Sequence, residues 1–383
     1  MTIAELLSNE EMRLDEFPVA KFKVFLGHAA VCPLPRRVAE AVAHFSLNCV
    51  SNDQETVLSP TYLAETRALA ARLIGAQPDE IALVGPTSLG LSLVASGLKL
   101  RKGDNILIYL DDYPSNVYPW MALAEKGVQV RLINIRELGK IRTIDVIGQV
   151  DENTRLVALA SCHFVSGWRL DLEAIGSYLQ QRRIPFCVDG IQTLGAFPTP
   201  AASYDFLAAD GHKWLLGPCG AGILYVRKAL QERVRPTVYG WHNVKSPNFL
   251  TAETLEFRED ARRYEAGSAN LLGVVGLRAS LELILEIGVG NIAAELLRKR
   301  AILVPAILSK GYTVLQPDSP APNLSGIVSF HRAGEDMAAI HSKLAAANIV
   351  TSLRGDRAGN RYLRLSPHFY NTDAELNRVL ELL

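Results

Sequence analysis

A chain of 383 residues with 49% apolar and 21% charged residues has ample core material and is long enough for two domains. Forty basic and forty acidic side chains cancel, which excludes the charge excess of a nucleic-acid or anionic-membrane binder. No apolar run reaches the length of a membrane span, no CxxC spacing joins the cysteines at 32, 49, 162, 187 and 219, and the acidic start MTIAELLSNEEMRLDEF is no signal peptide, so reduced thiols, no metal site and a cytoplasmic location are expected.

In chain order, residues 1–20 read as an arm with an amphipathic helix. A short strand, Phe22 to Leu26, leads into Gly27-His28-Ala29-Ala30, small residues past which a ligand could approach the backbone. Helices are expected over 35–45, with proline near the first turn, and over 62–74, by apolar spacing at i, i+3 and i+4. Ile81 to Leu100 reads as strand, turn and apolar helix. Thr87 and Ser88 at that turn offer hydroxyls and N–H groups to a phosphate, although plain helix capping uses the same residue types. A Walker A loop is excluded, because Leu91 stands where its lysine must be. Strands follow at 105–109, 128–133 and 156–160. Tyr113 lies in the loop after the first of them, where an aromatic can stack on a planar group.

Two apolar strands then end in polar turns: IPFCVDGIQ, carrying Asp189 and Gln192, and DFLAADGHKW, carrying His212 and Lys213. Buried strands of an open α/β sheet aim their carboxyl ends at a ligand crevice. A lysine and an aspartate on neighbouring strand ends, 24 residues apart, are what a pyridoxal phosphate site requires. The amine forms a Schiff base with the aldehyde, and the carboxylate pairs with the pyridinium nitrogen. Alternating strands and helices through Val226 predict a mostly parallel sheet. Residues 231–262, with Pro236 and Pro247, are irregular, and a long apolar helix over 271–288 follows. Helices over 291–309, 336–347 and 373–383 then mix with strands near 312–315, 325–330, 349–353 and 361–365. The expected domains are an N-terminal arm (1–20) packing with the small domain, a large α/β cofactor domain (21–262) and a smaller α+β domain (263–383).

With VDGIQ, DGHKW, Thr87-Ser88, Tyr113, Ser268 and the terminal RLSPHFYNT in view, the chain resembles the class V aminotransferase family of fold-type I pyridoxal-phosphate enzymes. That family includes cysteine desulfurases, cysteine lyases, kynureninase and epimerase-like proteins. The resemblance runs from the Gly27-His28-Ala29-Ala30 loop to Asn371. It implies a seven-stranded-type sheet, a homodimer with active sites at the subunit interface, and a small amino-acid substrate. Lys213 would hold the cofactor and act as the base at the substrate α-carbon, and Asp189 would pair with the ring nitrogen. Gln192 would reach the phenolic oxygen, Tyr113 would stack on the ring, and Thr87, Ser88 and His212 would grip the phosphate. Ser268 would reach a phosphate across the dimer interface. Arg364 would bind the substrate carboxylate as a bidentate fork, with His28, Ala29 and Arg354 as further substrate-side residues.

Departures from the pattern bear on the reaction. Desulfurases carry a cysteine on the loop after a motif like Leu353-Arg354-Gly355, and here Asp356 to Arg361 has none. A persulfide mechanism therefore lacks its nucleophile. Aminotransferase and cysteine-type C–S lyase chemistry rank close together, with epimerase behind and desulfurase disfavoured. Phe164 stands near a desulfurase asparagine, and Asp210 replaces a hydroxyl residue near the phosphate, where a carboxylate must turn away or find a cation. The rivals are a nucleotide-binding oxidoreductase, for which no GxGxxG opens a helix after a strand, and a non-catalytic protein of the same fold, which would not need both Lys213 and Asp189.

Overall fold

Apolar runs between helices become strands in a computed structural model that describes residues 1–245 and 250–383; Pro247 of the irregular stretch lies outside the described residues. The strands are β1 (Val24–Phe25), β2 (Ile81–Val84), β3 (Asn105–Ile108), β4 (Gln129–Leu132), β5 (Thr154–Ala160), β6 (Phe186–Asp189), β7 (Phe206–Asp210), β8 (Gly222–Val226), β9 (Thr313–Val314), β10 (Val328–His331), β11 (Ile349–Val350), β12 (Ser352–Gly355) and β13 (Arg361–Leu365). Seven of them form one sheet in the order β2-β8-β7-β6-β5-β3-β4. Its neighbours are parallel except where β8 pairs antiparallel with β7 and with β2.

Every residue of β6, β7 and β8 is buried, as expected of strands covered on both faces and written as continuous apolar runs. The edge strand β4 is largely exposed or half-buried and reads as the polar alternation QVRL. Helix Thr87–Gly97 lies close on β7. A Cβ added at Gly90 would meet the Ala208 Cβ at 2.8 Å, so glycine is what permits that approach.

The second sheet, β12-β13-β10-β9, is antiparallel throughout and belongs to the C-terminal part. The helix expected over 271–288 and the next one form two, Leu271–Ile287 and Val289–Ser309, broken at Gly288 with φ +86°. The strand expected near 349–353 splits into β11, which pairs parallel with β1, and β12, which pairs with β13. The segment at 24–25 therefore joins a strand of the C-terminal part rather than the large sheet. The arm also reaches that part: Phe17 stacks on Tyr370 with ring centroids 4.0 Å apart. Arg13 Nη1 donates to Glu375 Oε1 at 2.9 Å and to Tyr370 O at 3.3 Å. Among the described residues, no helix is long and apolar enough to cross a membrane.

Candidate active site

The carboxyl ends of β2, β3, β5, β6 and β7 open on one side of the sheet, and the segments that follow them line a cavity of about 280 Å³. This is the crevice where open α/β sheets hold ligands. Lys213, Asp189, Thr87, Ser88, Tyr113, Gln192, His212, Ala29, Arg354 and Arg364 all line it. So does Phe164, which stands near a desulfurase asparagine, and so do Ser115, Ile191, Val31 and Pro86, small or apolar residues that carried no chemical signal in the sequence.

Lys213 is 8% exposed. Burial pulls its ammonium down to about 8, opposed by the Asp189 charge and helped by Arg364 and Arg354. Its Nζ lies 5.4 Å from the centre of the Tyr113 ring. Asp189 is buried, which pushes its carboxyl up to about 6, while a hydrogen bond from Ile191 N at 3.0 Å and the Lys213 charge act the other way. A cationic nitrogen brought beside this carboxylate would replace the solvation that burial removed. Gln192 is oriented from both ends: Trp214 Nε1 donates to its Oε1 at 2.9 Å, and its Nε2 donates to Ala29 O at 3.1 Å. One amide N–H is left for the cavity.

Thr87 and Ser88 do not cap the helix they open. The cap position is Pro86, and no side chain there bonds the first turn. Thr87 Oγ1 instead accepts from Asp210 N at 3.0 Å. An 11-residue helix thus presents an uncapped N-terminus with two hydroxyls to the cavity, a favourable end for a phosphate. Asp210 resolves as a turned-away carboxylate. Its oxygens accept from Gly211 N, Gly220 N and Ala221 N at 2.7, 3.0 and 3.1 Å, and Oδ2 lies 2.8 Å from His212 Nδ1. Its charge is directed into the backbone and onto His212, whose Nε2 edge is left free of that contact.

Arg364 is 1% exposed, and no carboxylate pairs with it among the described residues. Nη1 donates to Phe164 O, Nη2 lies 3.4 Å from Ser352 Oγ, and Nε is buried without a partner. Burial, and next to it the Arg354 charge, pull this guanidinium down to about 9. A buried cation with an unspent donor is poised for an anion.

One expectation changes. His28 does not line the cavity. It is fully buried, with Nδ1 2.9 Å from Ser366 O and Nε2 2.8 Å from Tyr370 Oη, and burial holds it neutral with its proton affinity down to about 3. The ring is spent tying the Gly27 loop to the C-terminal segment, a contact that the loop's small-residue composition did not signal. Ser268 is exposed and away from the cavity of its own chain. A larger cleft of about 1090 Å³ opens elsewhere between the two parts, and ion pairs such as Lys140–Glu137 and Arg357–Asp111 lie in its lining.

The model of the family described as Aminotransferase class-V matches residues 24–379. The chain belongs to the class V aminotransferase family. It is an enzyme of that family, with pyridoxal phosphate as its cofactor, and the residues of the cavity fit that group: an amine of lowered proton affinity, a buried carboxylate, an aromatic face and an open helix end. A probable cysteine desulfurase of Methanothermobacter thermautotrophicus is 28% identical over 98% of each chain. Among solved structures, the apo cysteine desulfurase of Thermococcus onnurineus superposes with a TM-score of 0.88 at 24% identity, covering 97% of this chain and 96% of that one. A cystine C–S lyase in complex with its product cysteine persulfide superposes at 0.85 with 23% identity, covering 95% and 98%. These two likenesses are of fold.

Proposed function

We propose that this class V family enzyme cleaves a C–S bond of a small amino acid and releases the sulfur product directly, without passing it to a cysteine of its own. The observation that carries this reading is the absence of any cysteine among the residues lining the cavity. Where the loop of a desulfurase would carry one, residues 356–360 bring Arg357 to Asp111, with Nε 2.5 Å from Oδ1, and to Leu110 O at 3.2 Å. The loop is engaged in an ion pair rather than armed with a thiolate.

When bound, pyridoxal phosphate supplies an electron sink for the bond-breaking steps at the substrate α- and β-carbons. The chain's residues do the rest. Arg364 would take the α-carboxylate and fix which α-substituent points at Lys213. Lys213, shifted toward neutral by burial, would take the α-proton, and the β-carbon would then lose its sulfur with the bonding electron pair. Asp189 would keep the ring nitrogen protonated. Thr87, Ser88 and His212 would hold the phosphate, with Ser268 reaching the site of a second subunit in a homodimer.

The test is the visible spectrum of the purified, cofactor-supplied protein during addition of an amino-acid panel. A band that persists or recovers by itself while a sulfur product and a keto acid accumulate is expected. Bleaching that only a keto acid reverses would replace the lyase reading with transamination. Recovery with loss of optical rotation alone would replace it with epimerisation. No band at all would overturn the reading entirely.

A further inference from the structure

A closed circuit of hydrogen bonds runs through both parts of the molecule and touches the cavity at several points. It starts at β13, which carries Arg364 and leads directly into Ser366 and His368. Ala29 N donates to Ser366 Oγ at 3.0 Å. Ala29 O accepts from Gln192 Nε2 at 3.1 Å, and Trp214 Nε1 donates to Gln192 Oε1 at 2.9 Å. His368 Nε2 lies 3.0 Å from Trp214 O, which brings the circuit back to the segment that follows Arg364. Ala29, Gln192 and Arg364 line the cavity, whereas Ser366, Trp214 and His368 do not. Trp214 is the neighbour of Lys213 in the chain.

The tautomer of His368 follows from its partners. Phe369 N donates to Nδ1 at 2.9 Å, so Nδ1 carries no proton and Nε2 must carry it. Nε2–H therefore donates to the Trp214 carbonyl. Among the described residues no backbone N–H takes that carbonyl, and Trp214 is 1% exposed. Without His368 the oxygen would be buried unpaired. The imidazole is itself fully buried, with the Trp214 ring 5.6 Å away and the His28 ring 5.1 Å away between centroids. Burial, and next to it His28, hold His368 neutral. A ring so placed reaches no substrate. It joins the backbone beside Lys213 to the segment after Arg364.

We propose that His368 is a positioning residue of the active site: by donating to the Trp214 carbonyl it sets the turn that bears Lys213 relative to Gln192 and to the segment that bears Arg364. This rests on the reading of Lys213 as the residue that holds the cofactor, and goes beyond it by naming what places the amine. Reacting groups tolerate little misplacement, so a turn that drifts weakens capture of the cofactor and changes how its ring is held.

The test compares two variants that differ in reach. Glutamine puts its amide nitrogen where the imidazole carries Nε2, and asparagine puts its polar atoms at the depth of Nδ1. His368→Gln should thus keep the bond to Trp214, while His368→Asn keeps only the bond to Phe369. Both are read on cofactor-supplied protein well below its melting temperature. The dissociation constant of the cofactor should stay within about threefold of wild type in His368→Gln and rise roughly tenfold or more in His368→Asn. The induced circular dichroism of the visible band, which reports ring orientation, should follow the same order. A merely structural role would lower the melting temperature and leave both readings unchanged. Equal readings in the two variants, whether native or impaired, overturn the proposal, and so does the reverse order. Imidazole nitrogen resonances of the wild-type holoprotein, assigned with His368→Gln, give a reading that does not depend on His368→Asn folding: a proton on Nε2 supports the proposal and a proton on Nδ1 overturns it. A visible band retained in Lys213→Ala would overturn the underlying reading of Lys213, whatever the His368 variants show.

Discussion

Lys213 and Asp189 share one cavity, and burial pushes the two groups toward each other in proton affinity, the amine down to about 8 and the carboxyl up to about 6. Replacing Lys213 with alanine is expected to remove the visible cofactor band and to lower turnover by roughly 10²–10⁴-fold or more. A variant that retained both would move the attachment point elsewhere. Only the neutral amine attacks an aldehyde, so uptake of cofactor by apoprotein should speed up as pH rises, with a midpoint near 8. Stopped-flow growth of the band from neutral to alkaline pH measures it, and a midpoint near the ordinary lysine value of 10.5 would show that the cavity does not desolvate this amine. Asp210 is the residue where sequence reasoning left two outcomes open. The structure chose the turned-away carboxylate because three backbone N–H groups converge on it and His212 closes the set. Asp210→Asn keeps the shape but weakens the hold on His212, and the dissociation constant of the cofactor should rise roughly tenfold. An unchanged constant, read by titrating apoprotein, would show that His212 is held by other means.

At the scale of elements, the strand-end turns were legible because each couples a buried apolar run to a polar residue at its carboxyl end, and such a pattern has few other uses. Helix Thr87–Gly97 illustrates the limit: Thr and Ser at a helix start read equally as caps or as ligands, and the observed cap at Pro86 separates the two. A second element-scale device is the ion pair Arg67–Glu265, which ties helix Tyr62–Ile74 to the segment after 262. Nη2 lies 2.5 Å from Oε2, both side chains are buried, and Oε1 also accepts from Leu83 N of β2 at 2.8 Å. Arg67→Met would leave Glu265 buried beside a single backbone donor and a distant His242. We expect a loss of about 3–5 kcal/mol, read as a fall in the urea midpoint at unchanged slope. A shift within the scatter of surface substitutions would mean that Glu265 is stabilised without its arginine.

At the scale of the whole molecule, the proposed dimer makes a prediction that a single chain cannot meet. Ser268 is exposed and outside its own cavity, so any phosphate contact must be made in a second copy. Sedimentation should give about twice the 41.9 kDa of one chain. Mixing Lys213→Ala with Ser268→Arg, each impaired alone, should restore activity in hybrid dimers, because one of the two sites then has both native residues. Hybrids with no more activity than either parent would place Ser268 outside the chemistry.

The sequence by itself pointed to the family and the cofactor through the resemblance its motifs carry, and it marked Lys213, Asp189, Thr87, Ser88, Gln192 and His212 as candidates, since a continuous apolar run ending in a polar turn is a local property written in consecutive residues. It could not determine the sites of residues far apart in the chain. Packing across 338 residues assigned His28 to Ser366 rather than to the cavity, because a histidine that pairs with a carbonyl and a tyrosine looks, in sequence, like one that waits for a substrate. The pairing of β1 with β11 and the side-by-side placement of Arg354 and Arg364 are likewise tertiary outcomes. Each depends on which distant surfaces meet, and that is settled by the burial of whole faces rather than by any short stretch of residues.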